Sequence, residues 1–401
     1  MSEIRLESDV SAAPKDVFSC WTTNALIRSW LCENAILNTQ EGGAFALTGV
    51  KGVWAAGTYN SVEVDRRLVF SWQDGGAPGA TQIEVSFEDH PGGTHLTFCH
   101  SGFGSGDRWD AYRAERETQW KDLLENLSVT AETGADARFL RRPLIGLSLF
   151  PINDGYAAAA QLPFDKAMHV TVIFEGTPAE KAGLLPGDYL VAIDGESMSS
   201  FGDYLGFLGR HKAGDSVTVS YYRDGQMHTT DLTFDARKAE IYPETREALY
   251  EKVNERVTRI EADLEALIAG VPDEALTQVP APGEWSANET LAHMVWAERW
   301  YQQVLWLLIS YGEAIPWGVN NRFQLDGILA THTTGAALMA ELRRTLREQV
   351  EMIRSIPDDT LAVKPLFHQI AGVLSYTGEH CRRHYTQITS AVEHRRAVRA
   401  D

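Results

Sequence analysis

The spacing of hydrophobic positions changes character twice along the 401 residues of the chain. Up to about residue 128, short apolar stretches alternate with glycine-bearing turns and end in a helical run from Trp109 to Leu127, which predicts an antiparallel sheet closed by one long helix. A second strand-and-turn segment follows, and from Pro243 onward the apolar period becomes 3.6 over four candidate helices, as in a bundle. We therefore predict a multidomain α+β protein with a short polar linker at 131–138 and with domains at residues 1–130, 139–236 and 243–397.

Charge and cysteine usage narrow the classes of function. The 36 basic and 55 acidic residues give a net charge of −19, which repels polyanions, so we expect no nucleic-acid partner. The four cysteines are far apart and show no paired spacing, which favours free thiols in a reducing compartment such as the cytoplasm. The longest apolar run, Val304 to Ile309, is far shorter than the roughly 20 residues of a membrane span, so we expect neither export nor insertion.

The first segment contains several separate motifs that follow one another in the order found in a known family. Among them are GTYNSVEVDRRLVFSW and GATQIEVSFEDHPGGTHLTFCHSGF, followed by a helix with Trp120 and Leu127. This stretch, about residues 4–130, resembles the START-like (SRPBCC) superfamily, in the branch of chaperone-ATPase activator homologues. The resemblance implies a curved sheet gripping a C-terminal helix around a cavity that suits an apolar small molecule.

Five aromatic residues of this segment are candidates for the cavity wall. The interpretation that we favour is that they simply fill the core, because large aromatic side chains dominate protein cores. These residues are Trp54, Trp72, Phe87, Phe98 and Trp120.

The second segment contains the stretch GTPAEKAGLLPGDYLVAIDGESM, whose local structure can be derived from its residues. Pro178 begins a short helix, Gly183 permits a left-handed end to it, and Asp194–Gly195 supplies a hairpin turn. Together with the upstream RRPLIGLSL, this stretch resembles a bacterial-type PDZ domain over about residues 140–236.

The PDZ resemblance implies a groove that binds the C-terminal carboxylate of a peptide through backbone N–H groups. The matching loop is Ile145, Gly146 and Leu147, and the helix beginning near Phe201 would form the other wall. Alternatively, the groove is closed or serves only domain docking, because the insertion at 151–169 could lie over it. We find no G-x-S-x-G motif, so a protease function is disfavoured.

The third segment contains the candidate chemistry. His380 and His384 are spaced i, i+4, which predicts one shared helix face with the two rings roughly 6 Å apart. His293 lies about two turns into an earlier helix and is the candidate for a third ligand. A lone helical histidine is usually a surface or core residue, so the alternative is that none of them binds metal.

The motif around His293, followed by the motif around His380 and His384, resembles the DinB/YfiT-like superfamily of four-helix bundles over about residues 245–395. Carried over by position, the family's metal ligands fall on His293, His380 and His384. Neutral imidazoles suit Zn²⁺ and Ni²⁺, and three protein ligands leave a coordination position open. Several members of this superfamily are thiol S-transferases, which implies a low-molecular-weight thiol as a possible partner.

Two classes of function remain after this reading. In the first, which makes fewer demands, the protein is a cytoplasmic adaptor that combines an apolar ligand cavity, a peptide groove and a metal site. In the second, it is a metal-dependent thiol S-transferase acting on small electrophiles. We favour the first class, because two of the three segments resemble binding modules, and keep the transferase as the alternative, since fold resemblance is a weak basis for assigning activity. Either class is compatible with an oligomer.

Overall fold

A computed structural model describes residues 3–50, 52–280, 284–313 and 322–398. The fold is mixed α+β, with antiparallel sheets in the first two segments and helices in the third, which confirms the predicted fold class. The chain forms two compact units, the first from residues 1–138, 240–276 and 288–385 and the second from 139–239, 277–287 and 386–401. None of the helices in the described ranges combines the length and apolar character that crossing a membrane requires.

The first segment is a seven-stranded antiparallel sheet, as far as the described residues show, with two short helices and one long helix. The strand order is β1-β7-β6-β5-β4-β3-β2. Alternate residues of β7 are buried, so one face of the sheet carries the core. The elements are β1 (Ile4–Val10), α1 (Pro14–Thr22), α2 (Asn24–Arg28), β2 (Asn34–Leu37), β3 (Ala44–Val50), β4 (Val53–Glu63), β5 (Arg67–Asp74), β6 (Thr81–His90), β7 (Gly93–Ser101) and α3 (Asp107–Thr133).

Helix α3 is longer than its hydrophobic pattern predicts and takes up the first part of the expected linker. Thr130 and Ala131 are buried, so burial continues past Leu127. The helix ends where Gly134 adopts the left-handed conformation, φ +71°, and its N–H bonds the carbonyl of Thr130. The residues between 131 and 138 are therefore mostly ordered helix end rather than a free linker.

The second segment is a small antiparallel sheet of order β13-β12-β10-β9-β8, with β11 paired to β10. Asp194 and Gly195 both have positive φ (+49° and +79°) between β10 and β11, which confirms the predicted hairpin turn. The elements are α4 (Ala137–Arg141), β8 (Leu147–Pro151), α5 (Asp154–Ala159), β9 (Met168–Ile173), α6 (Pro178–Lys181), β10 (Tyr189–Ile193), β11 (Glu196–Ser197), α7 (Phe201–Leu208), β12 (Ser216–Arg223) and β13 (Gln226–Thr233).

All the regular secondary structure in the described residues of the third segment is helical. Thr245 and Thr334 cap the N-termini of α8 and α12 by accepting hydrogen bonds from Ala248 and Ala337. The helices are α8 (Arg246–Ile268), α9 (Asp273–Leu276), α10 (Ala287–Tyr311), α11 (Arg322–Thr331), α12 (Gly335–Arg354), α13 (Asp358–Leu361), α14 (Lys364–Ser375), α15 (Glu379–Arg382) and α16 (Tyr385–Val398).

Inside the first compact unit, helix α14 packs against the START-like segment. The backbone N–H of Lys364 donates to Asp16 at 2.9 Å, and the amide of Gln369 donates to the hydroxyl of Ser29 at 2.8 Å. A Cβ added at Gly134 would lie 2.5 Å from the carbonyl oxygen of Pro365, so glycine allows the end of α3 to approach α14 closely. The START-like segment and most of the helical segment, up to residue 385, therefore belong to one compact unit.

A buried carboxylate organises the interior of the helical segment. Glu298, on α10, is fully buried and accepts hydrogen bonds from Gln349 (2.9 Å), from the backbone N–H of Gly378 (3.1 Å) and from the thiol of Cys381 (3.6 Å). The hydroxyl of Thr377 completes the network by donating to Gln349 at 2.6 Å. Burial raises the pKa of Glu298 to about 7, although these hydrogen bonds oppose the shift. One side chain thus connects α10, α12 and the chain between α14 and α15.

The raised pKa of Glu298 predicts a pH dependence of stability in metal-free protein. Between its ordinary value of 4.5 and its folded value of about 7, the folded state holds a proton that the unfolded state has released. The stabilising contribution is complete below pH 4.5 and is lost as the pH rises through about 7, to a total of about 3 kcal/mol. Urea unfolding of wild type and Glu298→Gln should show this slope only in wild type.

The control is Glu255→Gln, which removes an exposed carboxylate from helix α8. Its stability should change with pH in parallel with wild type. Parallel curves for Glu298→Gln as well would mean that Glu298 titrates alike in folded and unfolded protein.

Candidate metal centre

The three predicted ligand histidines lie together in the helical segment. One ring nitrogen from each histidine lies within 4.8 Å of a ring nitrogen from each of the other two. The ring centroids of His293 and His380 are 5.0 Å apart, those of His293 and His384 are 4.8 Å apart, and those of His380 and His384 are 4.7 Å apart. Two stretches of chain almost ninety residues apart therefore converge on one point.

The local structure around His380 and His384 differs from the single helix that their spacing predicts. The helix breaks after Ser375, His380 lies in the one-turn helix α15, and His384 lies in the turn before α16. The N–H of His384 bonds the carbonyl of Cys381, three residues earlier, as in a 3₁₀ turn. The break is possible because Gly378 adopts φ +71° and directs its N–H to the buried Glu298. The two rings still meet, but the turn rather than a continuous helix face brings them together.

The spacing of His380 and His384 and the neutral state of His380 fit a shared divalent cation. The Nε2 atoms of His380 and His384 are 3.3 Å apart. Two ligands of one tetrahedral zinc ion, each about 2.05 Å from it, are separated by about 3.3 Å. Burial, together with the neighbouring His384 and His293, lowers the pKa of His380 to about 2, so this imidazole is neutral as a metal ligand must be. The Nδ1 atom of His380 is buried and has no hydrogen-bond partner among the described residues.

Aromatic rings surround the histidine cluster. Trp296 stacks on His293 with ring centroids 5.7 Å apart, and Tyr301 meets the edge of His380 at 6.5 Å. Tyr301 is also stacked on Tyr376 at 6.4 Å. Two of the three histidine rings therefore have an aromatic neighbour.

The candidate cavity residues of the first segment do not form one wall. Trp72, Phe87, Phe98 and Trp120 are buried, whereas Trp54 is 50% exposed on β4 and lies outside this core. Trp120 packs on Phe98 at 4.5 Å and on Trp72 at 5.4 Å between ring centroids.

Beside these rings, Trp72 lines a cavity of about 10 Å³, which is close to the volume needed for one water molecule. As it stands, this cavity is too small for an apolar ligand, and the aromatic residues fill the space between sheet and helix. Binding of a small molecule here stays a prediction and would require these side chains to move.

The candidate clamp of the second segment has the backbone geometry of an amide donor site. The carbonyl of Ile145 accepts from Ala179 at 2.9 Å, and the carbonyl of Gly146 accepts from Phe174 at 3.0 Å. Since a trans peptide places each N–H opposite the preceding carbonyl, the N–H groups of Gly146 and Leu147 point away from these partners. Gly146 has φ +88°, and an added Cβ would collide with Thr177.

The insertion at 151–169 lies on the opposite face of the sheet from helix α7. Ile152 and Ala157 pack with Tyr189 and Val191 of β10. In contrast, Phe207 of α7 belongs to the main core of this segment. We conclude that the insertion forms its own small cluster and does not share the core beneath α7.

Sequence reasoning missed the buried polar network behind the histidines. Glu298 interrupts an otherwise apolar face of α10, five residues after His293. A charged residue at such a position could have indicated a buried polar network. Gln349 and Thr377 gave no such signal, because neutral polar residues are common in helices and turns.

Three family models match the chain in the predicted order. The Activator of Hsp90 ATPase homolog 1-like family matches residues 11–132, the PDZ domain matches 143–234 and the DinB superfamily matches 256–388.

Among curated proteins, similarity covers short stretches. A Neisseria meningitidis serogroup A protein named as a zinc metalloprotease is 31% identical over 149 residues, which is 33% of this chain and 32% of that protein. The serine protease Do-like HtrA of Lactococcus lactis is 29% identical over 113 residues, 28% of this chain and 27% of its own length. The matched stretches thus span about a third or less of these relatives.

Solved structures resemble about a third of the chain. The Aha1 dimer from Colwellia psychrerythraea is 18% identical and covers 33% of this chain and 97% of its own, with a TM-score of 0.29. An HSP90 activator from Plasmodium falciparum is 17% identical and covers 32% of this chain and 95% of its own, with a TM-score of 0.29.

The family matches and their order confirm the three predicted resemblances. The chain is therefore built, from its N-terminal to its C-terminal part, of a START-like segment of the Activator of Hsp90 ATPase homolog 1-like family, a PDZ domain and a helical segment of the DinB superfamily.

Proposed function

We propose that the helical segment is a metal-dependent thiol S-transferase, with His293, His380 and His384 as the ligands of one divalent transition metal. The observation that carries the proposal is the convergence of three imidazoles within 4.8 Å from two distant parts of the chain. Zn²⁺ or Ni²⁺ suits this donor set. The membership in the DinB superfamily supports the proposal independently of the geometry.

When bound, a divalent metal with three protein ligands supplies an open coordination position and acidifies a thiol placed there. In the reaction, a thiol R–SH and an electrophile R′–X give R–S–R′ and HX. The S–C bond forms as the C–X bond breaks, the electron pair of that bond leaves with X, and the thiol proton passes to X or to solvent.

The protein's own residues hold and orient the ligands. Glu298 fixes the turn that presents His380 through the N–H of Gly378, two residues earlier. Trp296 and Tyr301 pack on the rings of His293 and His380 and restrict the orientations of both. Such support from outside the ligand set is a general requirement of metal sites.

Protease activity is not part of the proposal. The relatives named as proteases share with this chain stretches that cover 33% of it or less and 32% or less of their own length. The triad lies in the helical segment, which matches the DinB superfamily instead.

Metal content tests the ligand assignment directly. Purified wild-type protein should carry roughly one equivalent of transition metal, and the double variant His380→Ala, His384→Ala should carry almost none, because a single remaining imidazole binds weakly. The control His332→Ala, at the end of α11, should keep the metal. Equal metal content in wild type and the double variant would end the assignment.

Thiol consumption tests the activity. A thiol of pKa 8.5 is about 3% ionised at pH 7, so complete ionisation at the metal raises the thiolate fraction about thirtyfold. Metal-loaded protein should consume a low-molecular-weight thiol with an alkyl halide faster than apoprotein, and returning the metal should restore the rate. A rate equal to that of buffer, measured across several cellular thiols, would exclude the transferase.

The second segment favours a further function, the capture of peptide C-termini. Strand β8 is the last strand of its sheet in the described structure, so its outer edge can accept another strand. On α7, Phe201 and Leu205 are 48% and 42% exposed, one turn apart, and offer an apolar wall. Peptide binding at this groove would give the whole chain an adaptor role, in which protein partners are recruited to the metal-binding segment.

A peptide experiment tests this groove. Peptides with a free, apolar C-terminal residue should bind, and amidation of that terminus should weaken binding about tenfold because a charge-assisted hydrogen bond is lost. Leu205→Glu should abolish binding, whereas Met227→Glu, equally exposed on β13 at the other end of the sheet, should not. If a C-terminal peptide library yields no binder above background, the module is structural.

A further inference from the structure

A cavity of about 560 Å³ lies inside the first compact unit, between the START-like segment and the helical segment. Its volume is that of a typical small-molecule site. Helices α10 and α14 form one part of its wall, and residues of the START-like segment form the other.

Three aromatic rings make up a continuous part of this wall. The ring centroids of Trp300 and Tyr301 are 5.4 Å apart, and Tyr301 is stacked on Tyr376 at 6.4 Å with 17° between the ring planes. Val304 and Leu308 extend the wall, because they follow Trp300 by four and eight residues and so share one face of α10. A planar, apolar molecule can pack against such a surface.

The arginines of the lining are engaged by their own surroundings. Arg28 donates through Nε to the carbonyl oxygen of Glu33 at 2.9 Å. Arg138 donates to the two carboxylate oxygens of Asp136 at 3.1 and 2.9 Å, and to the carbonyl of Cys32 at 2.8 Å. Two carboxylates, Glu33 and Asp136, accompany the two guanidinium groups, so the described lining carries no net charge.

The neutral polar side chains of the lining are bonded within the wall in the same way. The hydroxyl of Ser29 donates to the carbonyl of Ala25 at 3.2 Å and accepts from the amide of Gln369 at 2.8 Å. Gln369 also donates to the carbonyl of Gly134 at 3.3 Å. An ion in this cavity would give up its hydration without gaining a compensating charge, which is costly, whereas a neutral apolar molecule would lose little.

We propose that this cavity binds a neutral, aromatic small molecule, held with its ring against Trp300, Tyr301 and Tyr376. The site goes beyond the proposed transferase reaction and does not depend on it, because none of the three histidines is among the residues that line the cavity. Tyr301 connects the two places, since it lines the cavity and its ring meets that of His380 at 6.5 Å between centroids. An occupant of the cavity therefore lies one side chain away from the candidate metal centre.

The test uses the full-length protein and the neutral fluorescent probe N-phenyl-1-naphthylamine, which wild type should bind saturably. Trp300→Ala removes one ring of the wall and should weaken binding about tenfold, the loss expected for one aromatic contact. Trp306→Ala removes the same side chain from an exposed position of α10 that does not line the cavity, and it should leave the affinity unchanged. Equal effects of the two variants would overturn the site.

Filling the cavity provides an independent arm. Val304→Trp from α10 and Val373→Phe from α14 should each abolish saturable binding, because their added rings occupy the space of the probe. Gln303→Trp adds the same ring at the adjacent, exposed position of α10 and should bind like wild type. Cooperative urea unfolding identifies the variants that fold, and wild-type affinity in a folded variant with a filled cavity would overturn the site.

The charge of the ligand is tested with 8-anilinonaphthalene-1-sulfonate, which carries similar rings and one sulfonate group. It should bind to wild type roughly tenfold or more weakly than the neutral probe, because the lining offers its charge no compensation. Equal or tighter binding of the sulfonate at the same site would overturn the neutral class of ligand.

Failure of this site and failure of the metal chemistry give different results. The double variant His380→Ala, His384→Ala should lose its metal but keep the affinity for the neutral probe, and Val373→Phe should lose the probe but keep the metal. Loss of the probe together with the metal in the histidine variant would overturn the assignment of a separate site.

Discussion

The contact between Glu298 and the backbone at Gly378 is the interaction on which the arrangement of the histidines depends. A fully buried carboxylate is costly unless hydrogen bonds compensate it, and here Gln349, Gly378 and Cys381 all donate to it. In return, the carboxylate satisfies the N–H of a left-handed glycine at the break between two helices. The helix can therefore end just before His380, and the turn that follows places the Nε2 atom of His384 3.3 Å from the Nε2 atom of His380.

The packing of α14 against the START-like segment has a comparable effect on a larger scale. Lys364, Gln369 and the close approach at Gly134 hold the two segments in one unit. The cavity of about 560 Å³ exists only because both segments contribute walls to it. By contrast, the cavity inside the first segment is only about 10 Å³, because aromatic rings fill most of the space between its sheet and helix.

In the second segment, a loop glycine allows two backbone N–H groups to be oriented. The loop at Gly146 orients two N–H groups because the preceding carbonyls are already bonded to Ala179 and Phe174. Only glycine fits there, since the backbone is left-handed and Thr177 occupies the place of a Cβ. This geometry follows from bonds within the segment and does not depend on any other part of the chain.

The sequence indicated the three segments and their order through periodicity, turn residues and family resemblance. It also indicated the three histidines that cluster, although His293 joined the other two through the resemblance and not through local spacing. It was insufficient wherever distant residues share one environment. The i, i+4 spacing of His380 and His384 predicted a continuous helix, but the buried Glu298 stabilises a break there. The aromatic residues of the first segment were undecided between cavity and core, and Trp54 proved exposed, since burial depends on neighbours that a local pattern does not contain. The buried network of Glu298 and Gln349 and the cavity beside Tyr301 depend on tertiary packing, which brings together groups that are far apart along the chain.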